Sequence, residues 1–145
     1  MTTSLPHAGD MTTLYLAATG PSPADEVWER YAQPARWSDW SPQIRRVEGV
    51  GDRLSAGAAG RVVGLLGLSA DFEVDTFDEE ARRWSWTVRP RAALLPGVPM
   101  PRLHLGHGVR ATSAGTLTWL RLSGPLPLVV PYAPVARLAL HRLVH

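Results

Sequence analysis

Two histidines, two arginines and a tyrosine carry most of the chemistry this sequence offers. His107 and His104 lie on a strand predicted over residues 103–112, and His107 alternates in register with Leu105 and Val109, which turns it to the inner face. An imidazole in an apolar cavity acts as a general acid or base. The competing reading is a core histidine bonded to a backbone carbonyl. It weighs more, because no partner carboxylate is identifiable. Arg121 alternates with Leu117 and Trp119, which would point it inward, where a guanidinium needs an anion such as a ligand carboxylate or enolate. Thr118, Leu120 and Leu122 make an equally good inner set, and an arginine at a strand end more often reaches solvent. Arg61 is a third inner-face candidate, with less support. Tyr15 offers a phenol to a ligand carbonyl, against the commoner role of an interior tyrosine bonded to backbone.

Trp84, Trp86 and Trp119 sit at alternating strand positions and suit a wall for a flat ligand or ordinary core packing. Phe72 and Val74 alternate with Asp71, Glu73 and Asp75, so that carboxylate row reads as a solvated face. There are no cysteines and no lysines, which excludes thiolate chemistry and a lysine Schiff base. No metal-ligand cluster, phosphate loop or nucleophile elbow is present, so no metal and no cofactor is expected.

The elements that must hold these residues follow from punctuation and periodicity. A strand is predicted over residues 11–18, broken by Gly20-Pro21. Ser22 then reads as a helix N-cap with Pro23 at the first helical position and Asp25 at the capping-box spacing. Ala24, Val27, Trp28 and Tyr31 give that helix one apolar face up to about Gln33. A second short helix fits residues 34–40. Strands are predicted over 44–50, 59–66, 69–77, 82–89, 103–112 and 116–123, with a tight turn at Gly67. A closing helix is predicted over 135–145. In a meander, the 64–69 turn, the proline-rich 90–101 loop and the 124–131 segment fall at one end. All three are apolar for loops, so they call for something to cover.

With 145 residues, 45% hydrophobic and 19% charged, the chain reads as one globular domain over residues 11–145 behind a flexible leader at 1–10. It has no apolar run long enough for a membrane span and no signal-peptide pattern, which places it in the cytoplasm. The net charge is +2 and the arginines are not interleaved with aromatics, so nucleic acid is not an expected partner.

The stretch Trp37-Ser38-Asp39-Trp40-Ser41-Pro42 is the most specific signature. Together with SPADEVWERYAQPARWSDWSPQIRRVEGV, the FEVDTFDEEARRWSWTV pair and AGTLTWLRLSGPL, it resembles the START-like (SRPBCC) superfamily over about residues 11–144. The superfamily includes polyketide cyclase/dehydrase-like and birch-pollen-allergen-like proteins. The resemblance implies an α+β helix-grip fold: a seven-stranded antiparallel sheet, two short helices and a C-terminal helix around a hydrophobic cavity. The candidate lining residues are then Arg61, Phe72, Val74, Trp84, Trp86, Leu105 and Trp119 from the strands, Trp40 from the second helix and Leu138 from the last. Trp40 is expected inward near the cavity, with Trp37 pinning the helix pair. The closing helix looks short for such a fold, which suggests a more open cavity or completion by a homodimer.

Three functions follow in order of support. The first is binding of a hydrophobic small molecule such as a polyketide, lipid or aromatic metabolite. The second is a cofactor-independent polyketide cyclase, aromatase or dehydratase. There His107 would be the acid/base, Arg121 or Arg61 would steady an enolate and Tyr15 would orient a carbonyl. That version requires His107 and one arginine to project into the same cavity. The third is an interaction protein that uses its apolar loops.

Overall fold

The computed structural model describes residues 11–65, 68–91 and 101–145. The expected leader, the Gly67 turn and most of the 90–101 loop lie outside the described residues. Among the described residues seven strands form one antiparallel sheet. They are β1 (Met11–Gly20), β2 (Ile44–Glu48), β3 (Ala59–Gly64), β4 (Ser69–Asp78), β5 (Arg83–Arg91), β6 (Leu103–Thr112) and β7 (Gly115–Pro125). Their order is β1-β7-β6-β5-β4-β3-β2, so a six-stranded meander is completed by β1 returning beside β7. Helix α1 (Ala24–Ala32), a 3-10 turn (Pro34–Arg36) and α2 (Trp37–Trp40) follow β1, and α3 (Leu126–Val144) lies against β1 and β7. This is the expected α+β helix-grip architecture.

Alternation sets the inner face. β4 buries Phe72 and Val74, β5 buries Trp84, Trp86 and Val88, and β6 buries Leu103, Leu105, His107 and Val109. On β7 the inner set is Thr116, Thr118, Leu120 and Leu122, so Trp119 and Arg121 point outward. Two buried threonines are tolerated there because each hydroxyl is bonded: Thr116 donates to the Ser22 carbonyl at 2.5 Å and Thr118 to the Gly108 carbonyl at 2.9 Å.

Two boundaries differ from expectation. α3 begins at Leu126 rather than at residue 135, and Pro131 and Pro134 lie inside it. Each proline removes one backbone donor. The buried face of Val129, Ala136, Leu140 and Leu143 outweighs that loss. The helix is therefore 19 residues long, and the reason for invoking a partner to complete a short one disappears. At α1, Ser22 does not cap: the cap position is Pro23 and makes no side-chain bond.

Ser22 instead joins the two ends of the fold. Its N–H donates to the Val144 carbonyl at 3.0 Å. Arg30 Nη1 donates to the Leu143 carbonyl at 2.6 Å and to Ser22 Oγ at 3.1 Å. These donors satisfy carbonyls in the last turn of α3, which no intrahelical amide can reach. Gly20 allows the approach, because a Cβ there would lie 2.2 Å from the Val144 oxygen. One end of the grip is thus clasped shut.

Candidate functional site

The interior beyond the clasp is filled by aromatic rings. Trp37 and Trp40 are three residues apart, and both donate their indole N–H to carbonyls in the last turn of α1: Trp37 to Tyr31 at 2.8 Å, Trp40 to Arg30 at 3.0 Å. The two indoles therefore cap the C-terminal end of α1 and fix α2 against it. Trp37 is the deeper of the two and completely buried. Its ring lies 5.5 Å from Phe72, 5.8 Å from Trp84 and 5.1 Å from Trp86. Trp40 packs edge-on to Tyr31 at 5.5 Å. Trp37, not Trp40, reaches furthest into the core.

His107 belongs to this block. It is 5% exposed and stacks on Trp84 at 4.8 Å with the planes 15° apart. Its Nε2 accepts the indole N–H of Trp86 at 3.1 Å. Burial lowers its pKa to about 3. The ring is neutral at physiological pH. Its Nδ1 has no hydrogen-bond partner among the described residues, and neither has the indole nitrogen of Trp84. Tyr31 closes the block from α1. Its hydroxyl meets Thr118 Oγ1 at 2.6 Å, and since Thr118 already donates to Gly108, the phenol is the donor. Burial pushes the Tyr31 pKa upward.

Past Trp86 the packing stops, and a cavity of about 460 Å³ opens between the sheet and the first half of α3. Ile44 and Val62 line one side, and Trp86, Val88, Leu103 and Leu105 the other. Gly64, Ala70, Leu65, Leu68 and Pro90 lie at the end where the apolar loops were expected, with Leu65 and Leu68 exposed. The polar side chains on the wall are Gln43, Ser69 and Tyr132, and among the described residues no charged one lines it. Gln43 Nε2 donates to the Tyr132 hydroxyl at 3.2 Å, while Gln43 Oε1 is buried without a partner among the described residues. Burial pushes the Tyr132 pKa up to about 12, so the phenol keeps its proton. The volume is within the range of small-molecule pockets, and the wall has the usual makeup of apolar side chains with a few polar groups.

A family model described as polyketide cyclase / dehydrase and lipid transport matches residues 11–144. The protein belongs to this family. Structures of similar fold include that of Ara h 8.0201, with a TM-score of 0.72 and 12% identity, covering 92% of this chain and 95% of that one. Protein CV1439 from Chromobacterium violaceum gives 0.69 at 16% identity over 91% and 94%, and protein MLL2253 from Mesorhizobium loti 0.73 at 16% over 91% and 93%. At these identities the likeness concerns the fold. No curated protein matches the sequence.

Within this family member, the expected site residues divide between the two faces of the sheet. Trp86 and Leu105 line the cavity. Phe72, Val74, Trp84, Trp40 and His107 are buried in the block beside it. The remaining candidates face away. Tyr15 is 75% exposed on the outer face, because β1 turns Leu14 and Leu16 inward. Arg121 is opposite Tyr15 in the β1–β7 pairing and shares that outer face. Arg61 also points outward, with Nε 3.0 Å from Asp71 Oδ1. Trp119 lies across Gly108 of β6, where a Cβ would come within 2.2 Å of the indole nitrogen. Leu138 is 44% exposed on the outer side of α3.

Tyr15, Arg83, Ser85, Gly106, Trp119 and Arg121 line an outer-face depression that also includes Thr76, Trp84 and His107 and shares no wall residue with the cavity. The inner-face placement expected for Tyr15, Arg61, Trp119, Arg121 and Leu138 is therefore corrected. Neither His107 nor an expected arginine lines the cavity, and His107 and Arg121 meet only at the outer-face depression, with the His107 ring turned inward onto Trp84. Among the described residues no group of three His, Cys, Asp or Glu is placed to hold a metal ion. No described helix is long and apolar enough to cross a membrane. Gln43 and Tyr132 were missed from the sequence. Gln43 follows a proline turn, and Tyr132 fell in a segment read as a loop.

Proposed function

We propose that this protein binds a neutral, largely apolar small molecule in the cavity between Trp86 and Tyr132. The carrying observation is the cavity of about 460 Å³, walled by apolar side chains from the strands and closed on one side by the packed aromatic block. Apolar surface that water would otherwise wet favours a ligand that removes it. Family membership supports the same reading. The cyclase reading is less supported: His107 and Arg121 border the outer-face depression and not the cavity, the neutral His107 ring is buried, stacked on Trp84 and bonded to Trp86, and Arg61 pairs with Asp71. The test is titration with the neutral fluorophore Nile red. Wild-type protein should bind it saturably. Ala70→Phe, which fills the cavity from β4, should abolish binding while leaving the far-ultraviolet circular dichroism unchanged. Equal binding by the two proteins would overturn the proposal.

A further inference from the structure

We infer that the Gln43–Tyr132 pair is a polar anchor that selects an uncharged ligand carrying a hydroxyl group. The inference rests on the binding reading above and names the class of ligand. Gln43 Nε2 donates to the Tyr132 oxygen at 3.2 Å, which uses one donor of the amide and one lone pair of the phenol. Two capacities remain unspent on the cavity wall. Gln43 Oε1 is an acceptor with no partner among the described residues, sealed from the cavity until the half-buried Gln43 side chain turns, and the Tyr132 O–H hydrogen is a donor with no acceptor among them.

A ligand hydroxyl meets both needs. It accepts from Tyr132 and, once the Gln43 side chain turns Oε1 toward it, donates to Gln43. A ketone or an ether accepts from Tyr132 and leaves Oε1 empty, and a hydrocarbon leaves both. Turning the Gln43 amide by half a turn exchanges its donor and acceptor. A hydroxyl still serves both partners in that arrangement, while a ketone or an ether still serves only one. A carboxylate or an ammonium is disfavoured, because no charged side chain among the described residues lines the cavity and an ion there would lose its hydration without a counter-ion. Ser69, the other polar side group on the wall, offers only a hydroxyl. A site with buried groups waiting for a hydroxyl rejects an analogue that lacks it more strongly than an apolar pocket rejects an extra group.

The test compares naphthol, methoxynaphthalene, naphthalene and naphthoate as competitors of Nile red on wild-type protein, Gln43→Leu and Tyr132→Phe. Wild type should bind naphthol about tenfold more tightly than naphthalene or methoxynaphthalene, and naphthoate most weakly. Both variants should bind naphthol no more tightly than they bind naphthalene. Equal binding of naphthol and naphthalene by wild type would overturn the anchor and leave the cavity reading intact. So would an advantage that survives Gln43→Leu, or a preference for naphthoate. If neither Nile red nor any naphthalene binds, the cavity reading itself fails and the anchor falls with it.

Discussion

Trp86 donates its indole N–H to Nε2 of His107 at 3.1 Å, on the boundary between the packed aromatic block and the cavity. Because Nε2 accepts, the proton of the neutral ring is on Nδ1. Protonating Nε2 would break the bond to Trp86 and bury a charge in a cluster of aromatic rings. The burial of that charge is what lowers the pKa to about 3.

A pH dependence of stability follows. An unfolded histidine titrates near its ordinary value of 6.5, and the folded one near 3. Between those values the unfolded state takes up a proton that the folded state does not. The stabilisation is fully present above the unfolded value and is lost as pH falls toward the folded one, by up to about 1.4 kcal/mol per pH unit. Urea unfolding of wild type and His107→Phe across this interval measures it. The wild-type slope should exceed that of the variant, and equal slopes would show that His107 does not contribute.

Trp37 should be the costlier of the two signature tryptophans to change. Trp37→Ala removes a fully buried indole and the donor to the Tyr31 carbonyl, and should cost about 3–5 kcal/mol. Trp37→Phe keeps most of the apolar volume and leaves that carbonyl unpaired, at a cost of about 1–3 kcal/mol. Trp40→Ala should fall below Trp37→Ala, since its ring lies at the margin of the block. Chemical denaturation of the three variants gives the ranking, and a larger loss at position 40 would contradict the packing described.

On the outer face, Gly108→Ala should dislodge Trp119. The new Cβ would lie 2.2 Å from the indole nitrogen, so the ring must leave the strand it covers. The expected cost is about 1–3 kcal/mol, with a red shift of tryptophan emission. Adding Trp119→Ala should make the glycine substitution close to neutral, a coupling that a double-mutant cycle reads directly. Additive losses would mean that the two positions do not touch.

The sheet was legible because charge and apolarity alternate without conflict on β4 and β5, as in Phe72-Glu73-Val74 and Trp84-Ser85-Trp86. β7 misled because its hydrophobicity is inverted: Thr116 and Thr118 are inside and Trp119 outside. The signal was on the neighbouring strand. Gly106 and Gly108, spaced by two, leave an outer trough that an indole fills. α3 was read short because Pro131 and Pro134 look like breakers, and only tertiary packing of Val129 and its partners reverses that reading. The same error hid Tyr132 from the candidate site. The aromatic positions were visible in the sequence. Their division into a solid block and a hollow remainder was not, because it depends on how deeply α2 pushes Trp37 into the grip.

The position of Trp86 makes the protein its own optical instrument. Of the six tryptophans, it is the one on the cavity wall. Trp119, across the sheet, faces the outer surface. A guest entering the hollow perturbs the emission of Trp86 and leaves that of Trp119 unchanged. A change of tryptophan emission on adding a ligand, abolished by Trp86→Phe and kept by Trp119→Phe, would follow occupancy without a label.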